Sequence, residues 1–483
     1  MSQPNVLLIC VDHWPGQLLG VRGNENILTP TLNQLAANGV LYTEAYTTTP
    51  TCIPARRALM TGTKAQTHGD RSFNEHLEMD PNLTTMPEAF RQAGYQAFAV
   101  GKLHVYPQRS RIGFDEVILN EEGRHQFGGV VDDYERFLRE EGYSGQEFTH
   151  AMGSNEYCVR PWHLPERYHS TNWTTREMCY TIQRRDPTRP AFWYCSYQAP
   201  HPPIVPPAEY LEMYRHLGVD EPYIGDWAKD YDNLPYALKC HRSRWVSPTA
   251  AEIREARAGF YAQCTYIDHQ MRLLIGTLRE EGLLDDTIIM FISDHGDMLG
   301  NHNLWAKSQM YENSAKIPMI LVPTINDSRV TTQQQDARFA ALRDVMPTLL
   351  DLCNIPIPES VEGESLIKDD RREYLCCEHY EDERSVRMIR VDEFKLIWFP
   401  VGNHIQLFDL KNDHQEMHDI GNDASCAKIR DRLVKLLIEN LYGKDLDWIE
   451  GGKLVGEADR NIDGPSAPEF KPRRDLNSQR GWR

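Results

Sequence analysis

Two continuous apolar runs limit what this chain can become. Val6-Leu7-Leu8-Ile9-Cys10-Val11 and Thr287-Ile288-Ile289-Met290-Phe291-Ile292-Ser293 carry no alternating polar residues. Such runs form strands buried on both faces, as in a largely parallel α/β sheet with helices packed on either side. Asp12-His13 follows the first run and Asp294-His295 the second. In open α/β sheets, ligands bind beyond the carboxyl ends of the strands. Tyr95 to Val100 reads as a strand leading to Lys102 and His104, and Pro190 to Tyr197 as one leading to His201. Prolines flanking His201 stiffen its backbone. Lys102 and His104 stand two apart, so on an extended segment they share a face. Each residue alone has an ordinary explanation: a helix N-cap, a solvated charge, a satisfied core histidine. Gathered on one sheet edge they are costly to bury unless they bind something, and their mixed signs fit a metal ion plus an anion.

A helix over Thr29 to Gly39 and a strand over Val40 to Ala45 lead into the threonine-rich segment that ends at Cys52-Ile53-Pro54-Ala55-Arg56. Pro54 disfavours helix for the residue before it, so the spacing predicts a helix over Ala55 to Met60, closed by Thr61-Gly62. Cys52 then lies at a strand-to-helix junction, near a helix N-terminus that favours an anion. A lone cysteine there reads as a small buried residue. The Cys-x-Pro-x-Arg pattern and the strand-end residues argue for chemistry instead.

With 52 Lys and Arg against 70 Asp and Glu, the 483-residue chain has a net charge of −18. That argues against nucleic acid or an anionic membrane surface as the main partner, and makes any anion site a local basic cluster. No run reaches the roughly 18 apolar residues of a membrane span. Met1 to Asn5 shows no secretory leader, so a cytoplasmic address is expected. The 11 cysteines have no framework spacing and read as free thiols.

Further helices are predicted over Thr85 to Ala93, Thr171 to Arg184 and Ala250 to Glu281, and a buried strand over Ile317 to Val322. Two irregular stretches, 112 to 168 and 205 to 247, read as an insertion over the site and a loop-built pocket wall. Composition turns polar near Pro356 to Asp370. Beyond it, Tyr374 to Glu378, Val386 to Arg390, Phe394 to Phe399 and His404 to Leu410 read as short strands before a helix over Ala424 to Tyr442. The division expected is a catalytic domain over 1–365, an antiparallel α+β subdomain over 366–445, and a tail over 446–483. The tail lacks an apolar period and is a candidate to cross an interface in a homo-oligomer.

The motifs, in this order, resemble the type I sulfatases of the alkaline phosphatase superfamily. The pattern around Cys52 is similar to that family's signature. Gly101-Lys102-Leu103-His104, Pro200-His201-Pro202-Pro203, Asp294-His295-Gly296-Asp297 with Lys307 downstream, and Leu407 to Asp413 resemble its other elements. The resemblance implies an alkaline phosphatase-like large mixed sheet flanked by helices, with a smaller C-terminal antiparallel α+β subdomain. It also implies that Cys52 is oxidised by a maturation enzyme to formylglycine, the nucleophile. By the same resemblance, Asp12, Asp294 and His295 match metal ligands, with residue 52 touching the ion. His13 stands where many members carry Asp or Gln; this departure makes it a candidate metal ligand through a ring nitrogen, with a place outside the ligand set as the alternative. Carboxylates dominate the set, so Ca²⁺ is expected first, with Mg²⁺ as an alternative and Mn²⁺ favoured if the histidines ligate. Arg56 resembles the arginine that orients the nucleophile. Lys102 and Lys307 match the lysines on the sulfate oxygens, His201 the acid and His104 the base, and Asn74 a polar substrate contact.

The implied activity is hydrolysis of a small sulfate ester. Two rivals remain at this stage: a phosphonate monoester or phosphodiester hydrolase of the same superfamily, and a non-catalytic binder of sulfated ligands.

Overall fold

A computed structural model describes residues 3–122, 130–244, 248–369, 372–460 and 462. Eight strands form one sheet: β1 (Asn5–Asp12), β2 (Val40–Tyr46), β3 (Gln96–Gly101), β4 (Glu116–Leu119), β5 (Ala191–Pro200), β6 (Thr287–Ser293), β7 (Met319–Val322) and β8 (Gln334–Ala341). Their order is β4-β3-β5-β1-β6-β7-β2-β8. Among these strands the pairings are parallel except those of β7 with β6 and β2. The consequence is directional. β1, β2, β3, β5 and β6 all end at the same edge, so whatever follows them in sequence meets there.

The apolar runs are buried on both faces, as their lack of alternation requires. Leu7, Ile9 and Val11 of β1 join a core with Phe260 and Ile267 of the 31-residue helix Ala250–Glu280. Val6, Leu8 and Cys10 face the other way, toward Leu59, Phe90 and Leu349 from three shorter helices. The long helix starts at a reciprocal capping box between Thr249 and Glu252, worth about 1 kcal/mol. At the end of β3, Gly101 has φ +104°, and a Cβ there would sit 1.8 Å from the Ser196 carbonyl oxygen. Only glycine lets the chain pass β5 so closely before it presents Lys102.

A second, antiparallel sheet holds β9 (Tyr374–His379), β10 (Val386–Val391), β11 (Phe394–Phe399) and β12 (His404–Asp409) in the order β12-β11-β10-β9. One face packs Ile389, Leu396 and Leu407 under Leu433 and Leu437 of helix Ala427–Asn440. The other places Leu375, Met388, Ile397 and Phe408 against Tyr46, Met310 and Tyr311 of the larger body. The expected large mixed sheet with a smaller antiparallel unit is therefore present.

Several local expectations are corrected. β4 lies inside the 112–168 stretch and extends the main sheet; as a four-residue edge strand it lacks the apolar run of a central one. The 205–247 stretch contains helices Ala208–Leu217 and Tyr236–Arg242. Pro207 and Pro235 stand just before them and set their starts rather than breaking them. β8 and helix Val345–Leu352 have no counterpart in the sequence reading; the exposed half of β8 carries Gln334, Gln335 and Asp336, which do not advertise a strand. Residues 446–460 are the described part of the tail apart from residue 462. Trp448 and Leu454 bury into the cluster beneath the small sheet. Residues 463–483, the remaining part of the predicted interface-forming tail, lie outside the described residues. No helix among the described residues is long and apolar enough to cross a membrane.

Candidate active site

Cys52 is the first residue of helix Cys52–Thr61, so the helix begins three residues earlier than Ala55. Pro54 is tolerated because the first-turn N–H groups have no intrahelical acceptor to lose. The side chain of Cys52 is fully buried at the edge where the strands end. Its sulfur lies 3.3 Å from His295 Nε2, 3.7 Å from Asp12 Oδ1 and 3.0 Å from Lys307 Nζ. His104 also hydrogen-bonds it. Burial alone pushes a thiol up, but Lys102, Lys307, His295 and His104 outweigh burial and hold Cys52 well below the usual thiol range. The position is built to carry negative charge.

Asp12, His13, Cys52 and His295 each place one donor atom within 4.8 Å of the others, and all four are buried. That spacing and those residue types fit one divalent cation. Asp294 stands beside them, with Oδ1 3.7 Å from His295 Nε2. Its Oδ2 accepts from Arg56 Nε at 2.9 Å. Burial and the neighbouring Asp12 raise the Asp294 carboxyl above its ordinary value. Desolvation and Cys52 oppose ionisation of Asp12, yet Lys102, His201 and His13 draw it well below the ordinary range.

Arg56 sits one turn after Cys52 and braces the edge rather than touching the sulfur. Its guanidinium reaches Asp294, Asp12, the Lys102 carbonyl (2.9 Å), Tyr194 Oη (3.2 Å) and Ser196 Oγ (2.9 Å). The ends of four strands, β1, β3, β5 and β6, and the helix that begins at Cys52 are thereby tied to one side chain.

Lys102 follows Gly101 and contacts both Asp12 and Glu122. Lys307 approaches from the opposite strand-end loop; its ammonium donates to His13 Nε2 at 2.6 Å and to His201 Nε2 at 3.1 Å. His104 is not on an extended segment as expected from its spacing, since its φ is +57°. Glu121 Oε1 pins the turn by accepting the N–H groups of Leu103 (2.7 Å) and His104 (2.8 Å). His13 (φ +75°) and Ser308 (φ +75°), next to Lys307, are also left-handed. Each such non-glycine residue costs on the order of 1–3 kcal/mol, and here they flank the same few ångströms. Asn74 is placed differently: it is exposed, and its side chain accepts the His76 N–H at 3.2 Å within its own loop. From that loop the ring of Phe73 does reach His104, with centroids 5.6 Å apart.

Several residues in the cluster had no role in the sequence reading. Glu121 and Glu122 follow β4, the strand that the irregular composition hid. Asp297 lies inside the Asp294–Asp297 motif; its Oδ2 is 2.8 Å from His13 Nδ1, and Tyr157 also contacts it. His379, from β9, meets Thr51 Oγ1 at 2.5 Å, and Thr51 meets Ser308 Oγ at 3.0 Å. Only Asp297 carried a local signal, its place three residues after Asp294.

The sulfatase family profile matches residues 4–355, and the profile for the C-terminal region of N-sulphoglucosamine sulphohydrolase matches residues 300–442. An arylsulfatase of Clostridium perfringens (strain 13 / Type A) is 35% identical over 472 residues, covering 94% of this chain and 97% of that one. Two solved structures share the fold. The phosphonate monoester hydrolase of Agrobacterium radiobacter has a TM-score of 0.78 at 22% identity, over 95% of this chain and 100% of that one. A protein solved in complex with its substrate D-glucosamine-2-N,6-O-disulfate has a TM-score of 0.73 at 20% identity, over 91% and 97% of the two chains. With the profile spanning most of the chain and the arylsulfatase matching along its length, this chain belongs to the sulfatase family of the alkaline phosphatase superfamily and is a sulfuric ester hydrolase.

Proposed function

We propose that the protein hydrolyses a small sulfate ester, using Cys52 converted to formylglycine and one divalent cation held by Asp12, Asp294, His295, residue 52 and His13. The observation that carries this reading is the pair of lysines converging on Cys52 beside buried acids and histidines. The modified side chain would supply a hydroxyl nucleophile, and the cation would supply positive charge next to it.

The chain's own residues do the rest. Lys102 and Lys307 hold the sulfate oxygens and offset charge that grows during attack. His201, whose Nε2 accepts from Lys307 Nζ at 3.1 Å, passes a proton from that ammonium to the departing alcohol oxygen. His104, hydrogen-bonded to residue 52, takes a proton back from that side chain. Arg56 keeps Asp12 and Asp294 in place rather than acting on substrate. A maturation enzyme acting on Cys52 is the implied partner. Asn74 stays in this proposal as a residue of the rim loop that carries Phe73.

A phosphonate-hydrolase reading keeps one specific support, the fold likeness at TM-score 0.78. Against it stand Lys102 and His104, which place a cation and a base on Cys52 suited to sulfate. Turnover of matched aryl sulfate and aryl phosphonate esters separates the two: a large preference for sulfate is expected, and a preference for phosphonate overturns the reading.

A further inference from the structure

We infer that the metal site of this chain is built to prefer a d-block cation of the Mn²⁺ type over Ca²⁺, with His13 as an Nε2 donor whose ring is fixed by Asp297. The inference rests on the proposed reading that one cation is held among Asp12, His13, residue 52, Asp294 and His295.

The hydrogen bonds decide which nitrogen of each ring is free to donate a lone pair. His13 Nδ1 lies 2.8 Å from Asp297 Oδ2. Asp297 is completely buried, and its Oδ1 accepts the N–H groups of Leu299 (2.9 Å) and Ala306 (3.1 Å). Tyr157 adds its hydroxyl to Oδ2. The two backbone N–H groups can only donate, so Asp297 is held in one orientation with Oδ2 turned to His13. Asp297 thus occupies Nδ1, and Nε2 is the nitrogen of His13 that faces Asp12. His295 repeats the pattern: Nδ1 faces the Gly296 carbonyl at 2.9 Å, which can only accept, so its lone pair is on Nε2. The two Nε2 atoms stand 3.6 and 3.5 Å from the same oxygen, Asp12 Oδ1. The rings are held edge to face with centroids 4.5 Å apart.

Two converging imidazole nitrogens are poor ligands for Ca²⁺, which takes six to eight oxygens. They suit Mn²⁺ and its d-block neighbours, and a carboxylate behind one ring raises its basicity as a ligand. This departs from the Ca²⁺ expected from the carboxylates in the sequence. Lys307 Nζ also reaches His13 Nε2, at 2.6 Å. An alternative role for His13 is therefore to anchor that lysine and leave the cation alone, and the experiment must tell the two apart.

The full-length protein is stripped with chelator, dialysed against equimolar Mn²⁺ and Ca²⁺, and its metal content measured. The Mn²⁺ form is then examined by pulsed electron paramagnetic resonance on protein carrying ¹⁵N-labelled histidine. Expected are retention of Mn²⁺ over Ca²⁺ and couplings from two histidine nitrogens. His13→Asp should leave one coupled nitrogen and move the preference toward Ca²⁺. Asp297→Asn should weaken Mn²⁺ retention ~10- to 100-fold, as loss of a partner behind a ligand does. Retention of Ca²⁺ in preference, or a single coupled nitrogen in the wild type, overturns the inference and leaves the proposed function standing. Failure to retain either cation overturns both. The wild-type spectrum decides the matter even if a variant does not fold.

Discussion

The two sheets differ in one cation, a lysine that no carboxylate among the described residues is seen to face. In the small sheet each buried cation named here faces carboxylates. Arg387 makes a double contact with Asp445 at 2.6 and 2.7 Å, and Lys395 sits between Glu312 (2.6 Å) and Glu416 (2.7 Å). At the edge of the large sheet, Lys102 faces Glu122 and Asp12, which it shares with the proposed cation site, but Lys307 has two histidines and a sulfur for neighbours. Charge closed on itself holds a fold together. Charge turned toward a thiol and imidazole rings is arranged for something that arrives. The same residue types therefore mean architecture in one place and chemistry in the other, and only their partners tell which.

The contrast breaks most plainly at Arg387, which is 2% exposed. Arg387→Ala takes the double contact from Asp445 and leaves it Arg71, at 2.9 Å, so the loss should fall below the about 3–5 kcal/mol of a fully unpaired buried charge and stay above about 1 kcal/mol. Denaturant unfolding should show that loss, while the protein that remains folded keeps its turnover per molecule. A stability change under about 1 kcal/mol would make the pair no more than a surface-type bridge.

Acid sharpens the contrast next. His169 and His302 accept backbone N–H groups at Nδ1, from Thr171 at 3.1 Å and Gly225 at 3.0 Å. Burial drops both from 6.5 to about 4. A histidine depressed in this way binds its proton more readily unfolded than folded. The stability it lends is complete above 6.5 and is lost as pH falls from there toward 4. Fully expressed, that is worth about 3 kcal/mol per histidine. Unfolding midpoints measured down through this window should fall steadily, and a flat profile would show that these rings are not held neutral.

The smallest expected effect lies where the two regions meet. His379 belongs to the small sheet but touches Thr51, the residue before Cys52, and through it Ser308 beside Lys307. His379→Ala removes about one hydrogen bond, so kcat for an aryl sulfate should fall about tenfold with little change in KM. His379→Gln, which keeps a polar atom at that distance, should recover part of it. Equal loss in both variants would point to packing instead.

Much of this was legible in the sequence, for identifiable reasons. Asp12, Lys102, His201 and Asp294 follow apolar strands, and parallel strands must end together. Those residues could be placed on one edge before any coordinates. Glu121 and Glu122 could not, because β4 is a short edge strand with no apolar period to announce it. His379 was hidden for a different reason. Its contact with Thr51 spans 328 residues and depends on how the small sheet docks, which no local pattern encodes. The His104 turn was misjudged because Glu121, which pins it left-handed, lies 17 residues away. Position 52 itself was found by its motif, but its start of the helix was masked by the usual weight given to Pro54.

The central claim is that the chemistry runs through residue 52. The most direct test is hydrolysis of an aryl sulfate by Cys52→Ala beside the wild type, both from cells that possess the maturation system. Arg56, Asp12 and Asp294 keep their mutual bonds in this variant, so the fold should survive. The expected result is loss of turnover to the uncatalysed background. Undiminished turnover by the alanine variant would contradict the claim outright.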